Sequence, residues 1–165
     1  MKNGCHDELK RRDQAIFLKY EEIIREQNQS LNEKLIVYDE NRIAFLDQDK
    51  NLFLFNQGQY KEYLQKIGSA VEGIQFSDDG KKLLFWSTNE ISVHFLRDWN
   101  VQPLRAENET KEITRYSEKI SNVQWFKDYE HIIFSVGPFV KIAELDNRDY
   151  RICNDLLTTS IDNSR

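Results

Sequence analysis

Oxygen donors alternate in Asp47-x-Asp49-x-Asn51, the way a calcium-binding loop begins. Such a loop needs a glycine at its sixth position and a bidentate glutamate at its twelfth. Leu52 and Gly58 stand there, so a hairpin turn is the better reading, and Asp146-Asn147-Arg148-Asp149 reads the same way. His6, His94 and His131 fall on different segments, with no further Cys or His at zinc-ligand spacing. Cys5 and Cys153 are the only 2 cysteines; so far apart, they read as two free thiols rather than a redox pair. No Gly-x-Ser-x-Gly elbow and no glycine-rich phosphate loop occurs, and Ser135-Val136-Gly137 reads as a hairpin turn. No catalytic residue, cofactor or metal ligand is therefore expected.

The aromatic side chains offer a different chemistry. Trp86, Trp99, Trp125, Tyr129 and Phe139 could form a stacking surface. Trp86 and Trp125 sit within apolar runs and are expected to fill an interior. Trp99 lies in a mostly polar stretch, Arg97 to Thr110, and is the aromatic expected to be exposed, a candidate partner contact.

Composition bounds what can position these groups. The chain has 165 residues, with 23 Lys plus Arg against 28 Asp plus Glu, a formal charge of -5. That balance argues against nucleic acid as a partner, since phosphates call for a basic face. Aromatics at 12% supply material for a core, which a disordered chain lacks. Met1 to Glu8 is polar, without the apolar stretch of a signal peptide. The longest apolar runs, such as Leu83 to Trp86, are four residues, too short to span a membrane as a helix.

Asp7 to Glu33 has no Pro or Gly and is rich in helix formers, with Ile16, Tyr20 and Ile23 at helical spacing and Phe17 and Ile24 beside them. An amphipathic helix is expected over residues 1–33. From Lys34 the period changes. Leu35 to Tyr38, Arg42 to Leu46 and Leu52 to Phe55 are short β-branched and aromatic runs, and polar turn clusters separate them. The pattern resumes at Gly73 to Phe76, Lys82 to Ser87 and Ile91 to Leu96.

Laid over Ile120 to Leu145 at an offset of 49 residues, Val71 to Leu96 aligns without a gap. Phe76 falls on Trp125, Asp79 on Asp128 and Phe85 on Phe134. A weaker copy covers Arg42 to Phe55, with Phe45 on Phe85 and Phe55 on Phe95. A repeat of this length with four short strands is the mark of a β-propeller blade. The expected fold is mainly β: a partial propeller of about three four-stranded antiparallel blades after an N-terminal helix. The blades are placed at 34–66, 72–116 and 120–153. Their outer strands are expected at Tyr60 to Gln65, Glu112 to Tyr116 and Tyr150 to Cys153, with the residues after Asn154 opening a fourth blade or forming a tail.

Phe76-Ser77-Asp78-Asp79-Gly80-Lys81-Lys82-Leu83-Leu84-Phe85 resembles the FSPDGKxLxF repeat of TolB-like and WD-repeat-like propellers, with Asp78 where that repeat has proline. The third blade reads Trp125-Phe126-Lys127-Asp128-Tyr129 at the same place, so the motif has decayed there. Ile120 to Leu145 resembles, more loosely, the propeller region of bacterial PEGA-domain proteins, which implies an extracytoplasmic or cell-surface parent protein. Phe76, Asp79, Gly80, Phe85, Trp125 and Phe134 take the structural positions of the repeat. The resemblance covers about Lys34 to Leu157 and marks a fold better than a function. The expected role is a non-enzymatic interaction module that binds a protein or surface polymer through loops on one face. The alternatives are a gate for a hydrolase domain elsewhere in the parent protein, or a structural spacer. Three blades do not close a circle, so further blades are expected in the parent. The helix is expected to cover the first blade, and the last blade's face near Ile133 and Ile142 to be poorly covered.

Overall fold

The structure, a computed structural model, describes Leu18, residues 34–146 and the backbone of residues 153–158. The helix expected over 1–33 lies, Leu18 apart, outside the described residues, as do Cys5, His6 and the turn at 147–149. Short runs of β-branched and aromatic residues, broken by Asp, Asn and Gly clusters, form strands here and little else. Among the described residues they make three four-stranded antiparallel sheets, each a meander in which every strand pairs with its neighbour in sequence. No helix among the described residues is long and apolar enough to cross a membrane. The chain divides into two compact units, Met1–Ser69 and Ala70–Arg165.

The first unit holds β1 (Lys34–Asp39), β2 (Arg42–Leu46), β3 (Leu52–Gln57) and β4 (Glu62–Gly68). Antiparallel register sets Ile43 opposite Phe55 and Phe45 opposite Phe53. These four are buried together, with Leu64 beside them, and the Phe45 and Phe53 rings stack with centroids 5.1 Å apart. Two turns explain the register. At β1–β2 the Asp39 carboxylate accepts from the Asn41 amide at 3.0 Å and pairs with the Arg42 guanidinium. Burial would raise the Asp39 pKa, but the Arg42 and Asn41 hydrogen bonds outweigh it and hold the carboxyl below its ordinary range. At β2–β3 the Asp47 carboxylate accepts from the amides of Asp49 at 2.9 Å and Asn51 at 2.8 Å, and from the Asn51 side chain. The calcium-like spacing is thus spent on a turn.

The second unit holds β5 (Gly73–Phe76), β6 (Lys82–Trp86), β7 (Glu90–Phe95) and β8 (Thr110–Arg115) in one sheet. A second sheet contains β9 (Ile120–Trp125), β10 (His131–Val136), β11 (Phe139–Glu144) and β12 (Cys153–Thr158). The two share a core. Leu84, Ile91, Val93, Phe95 and Ile113 of one sheet meet Val123, Trp125, Ile132, Phe134 and Val136 of the other. Strand alternation then assigns the faces. Phe134 points toward the preceding sheet, whereas Phe85, next to Leu84, lies on the face turned away from the following one. Phe85 and Phe134 therefore occupy the same side of their sheets, as the 49-residue offset requires. The strand starts agree, Lys82 with His131 and Glu90 with Phe139. Ile133, Val140 and Ile142, on the far face of the last sheet, are half-buried.

The fourth strands differ from expectation. β4 starts at Glu62 because the Gly58 amide bonds the Lys61 carbonyl and holds Tyr60 in the turn. β8 starts at Thr110, after Phe95 has exchanged backbone bonds with Asn108 and Glu109. β12 runs over Cys153–Thr158, so Asp155 to Thr158, expected to open a fourth blade or form a tail, instead pair with β11 in this sheet, while 150–152 lie outside the described residues.

Gly73 pairs across the sheet with Trp86. A Cβ at Gly73 would sit 2.5 Å from Cε2 and 2.7 Å from Cη2 of that indole, and closer still to Cζ2. A ring packed on the core cannot give way cheaply. Gly73→Ala is expected to destabilise the second unit by roughly 1–3 kcal/mol, the usual cost of overpacking. Chemical denaturation followed by tryptophan fluorescence measures it, and a cost under about 0.5 kcal/mol would mean that Trp86 is free to swing.

Candidate functional site

Three connections of the second unit lie at one end of its two sheets: the 77–81 turn, the 126–130 turn and the long segment from Leu96 to Glu109 between β7 and β8. The first two share one frame. The Gly80 amide bonds the Ser77 carbonyl at 2.9 Å, and the Tyr129 amide bonds the Phe126 carbonyl at 3.0 Å. Asp79 accepts from the Lys81 amide at 3.0 Å, and Asp128 from the Glu130 amide at 2.9 Å. Gly80 has φ 62° and Tyr129, its repeat partner, φ 53°. The motif that decayed in sequence survives as backbone geometry, with tyrosine holding a left-handed conformation that glycine adopts without strain.

The long segment folds back on itself. Trp99 and Arg105 form an isolated antiparallel bridge, with N–H to O distances of 2.8 and 3.1 Å. Below it the Glu107 amide bonds the Asp98 carboxylate at 2.8 Å, and the Ala106 amide bonds Glu109 at 3.1 Å. The result is a pinned lobe. Val101 and Leu104 stand at its tip, 60% and 58% exposed. Trp99, expected to be exposed, is half-buried instead: the bridge turns its indole inward, where it packs on the shared core.

Under that indole lies the least expected residue of the site. Lys82 opens β6 and is wholly buried. Its Nζ sits 3.8 Å from the Trp99 ring centroid and 5.8 Å from that of Trp125. Among the described residues no hydrogen-bond acceptor reaches it. Burial pushes its pKa below the ordinary lysine value, while the carboxylates of Asp79, Glu130 and Asp128 act the other way. The two indole faces replace part of the lost hydration. Burial likewise works to raise Asp79, but the Ser77 hydroxyl, donating at 2.6 Å, and the Lys81 amide hold its pKa below the ordinary value. Asp128 has the same balance, with Glu130 and His131 supplying the hydrogen bonds.

The corner is tied across the two sheets. The Trp125 amide donates to Gln75 Oε1 at 3.3 Å, and its indole N–H to the Gln75 carbonyl at 3.2 Å. The Tyr129 hydroxyl donates to Asp78, a bond that raises the Tyr129 pKa. At the other end, Asn89 donates its side-chain amide toward the carbonyls of Tyr116, Ser117 and Glu118.

Of the repeat positions, the structure brings Asp79, Gly80 and Trp125 to this corner together with Trp99. Phe76, Phe85 and Phe134 are buried away from it as sheet interior. Lys82, Gln75, Val101 and Leu104 were not singled out in the sequence as site residues; of the two adjacent lysines of the motif, Lys81 is exposed and Lys82 buried. Among the described residues no three His, Cys, Asp or Glu side chains gather as a metal site. His94 is buried in β7 with its Nδ1 2.8 Å from the Thr110 hydroxyl, and His131 pairs with Asp128. The chain matches no family model, and no curated protein matches it.

Proposed function

We propose that the second unit is a non-enzymatic interaction module built from consecutive β-propeller-type blades, and that it takes a protein partner on the Val101–Leu104 lobe. Face-to-face packing of consecutive four-stranded meanders at a fixed sequence offset supports the blade reading, as does the likeness to TolB-like repeats. The observation that carries the binding role is the lobe itself. Two aliphatic side chains are held in water at the tip of a segment whose base is bonded across itself. A rigid apolar tip loses little entropy on docking, which is what an anchor requires.

The test compares the full chain with a Val101→Asp, Leu104→Asp variant as immobilised bait in extract of the source cells. Both positions are exposed and outside the core, so the variant should keep its stability to about 0.5 kcal/mol. A protein held by the wild type and lost from the variant is the expected result. Identical retention by the two would move the binding surface off the lobe.

A further inference from the structure

We propose that Lys82 is the positioning residue of the lobe: its buried ammonium, seated against the Trp99 indole, latches the 97–107 segment in the conformation that presents Val101 and Leu104. The inference rests on the interaction reading above and adds what controls that surface.

Geometry carries it. Lys82 belongs to the sheet, being the first residue of β6, and Trp99 belongs to the lobe, so their contact joins the two. The lobe's bridge is short, a single Trp99–Arg105 pair, and an isolated pair of this kind does not stay closed unaided. Among the described residues no acceptor bonds the ammonium, so its compensation for lost water is the two indole faces, with the Asp79, Glu130 and Asp128 carboxylates acting from further off. Each side needs the other. Opening the lobe parts the ammonium from the Trp99 ring, and removing the charge takes away the electrostatic hold on the indole.

A latch differs from plain packing in a measurable way. Methionine at position 82 keeps the length and apolar stem and removes only the charge. It also removes the cost of burying that charge, which by itself favours the closed lobe, so quickened lobe exchange reports that the cation–π hold outweighs that cost. Amide exchange of the isolated full chain, without partner, reads lobe and sheets together. In Lys82→Met, exchange at the cross-bonded amides of Trp99 and Arg105 should quicken roughly thirty-fold, the weight of a desolvated cation–π contact. Exchange at Ile132 and Phe134 in β10 should hold. Trp99→Leu should give the same gain at the Arg105 amide, and the double variant no more than either single one. Unchanged lobe exchange in Lys82→Met, equal quickening in β10, or multiplying effects in the double variant would each overturn the latch. Should Lys82→Met not fold, the Arg105 amide in Trp99→Leu decides alone, unchanged exchange there refuting the latch. Because no partner is present, failure here leaves the lobe's binding role standing, and loss of that role leaves this result standing.

Discussion

Phe134→Ala is expected to cost the second unit roughly 3–5 kcal/mol, the range for deleting a large buried aromatic. Phe134 is wholly buried in β10, between the two sheets. Its ring meets Tyr116 with centroids 5.9 Å apart, and Ile113 and Val93 lie in the same cluster across the interface. Truncation leaves a cavity that neither sheet can close alone, since each is fixed by its own ladder. The companion is Phe139→Ala in β11, whose ring is 38% exposed, with an expected cost below about 1 kcal/mol. Urea denaturation of both variants gives the comparison. Equal losses would show that the two sheets do not share a core.

Acidification should weaken the fold before any carboxylate with a lowered pKa is touched, and His94 is the reason. Its burial lowers the pKa from the ordinary 6.5 to about 4. The unfolded chain therefore takes up a proton at this position near pH 6.5, while the folded chain refuses it until about pH 4. Stability is full above 6.5, falls across that interval and levels off below it, for a total of about 3 kcal/mol. Asp79 and Asp128 act later. Their folded pKa values lie below the ordinary 3.8, so their contributions are present above that value and fade only as pH drops beneath it. Gln in place of His94 cannot titrate, so His94→Gln should flatten the unfolding free energy between pH 6.5 and 4. Parallel pH profiles for wild type and variant would place the acid-sensitive group elsewhere.

Much of this architecture was legible because its strands are buried on both faces, so Leu52 to Phe55, Leu83 to Trp86 and Ile91 to Leu96 read as short, largely apolar runs between polar turns. The repeat offset was legible for the same reason: Phe85 and Phe134 fill matching places. The last strand was not. Asn154 and Asp155 have poor strand propensity, yet their backbone pairs with Ile142 and Lys141, because β11 needs a partner along its full length. The candidate site was the least legible part. Trp99 was singled out, but its inward turn depends on a bridge to Arg105 six residues on, which no local pattern signals. Lys82 opens the run Lys82 to Ser87, and nothing local signals its burial, which depends on a distant segment folding over it.

The meander order has a kinetic consequence. Every ladder joins strands adjacent in sequence, so ladder formation closes only short loops and carries little of the entropy that slows sheets with crossovers. On a ribosome the 34–68 sheet has all its hydrogen-bond partners once those residues have emerged, and the 73–115 sheet follows on its own schedule. What waits is the Leu84–Phe134 interface, which joins segments about fifty residues apart. Until β10 and β11 arrive, Leu84, Ile91 and Val93 face water on a growing chain, and that interval is when a chaperone would find them.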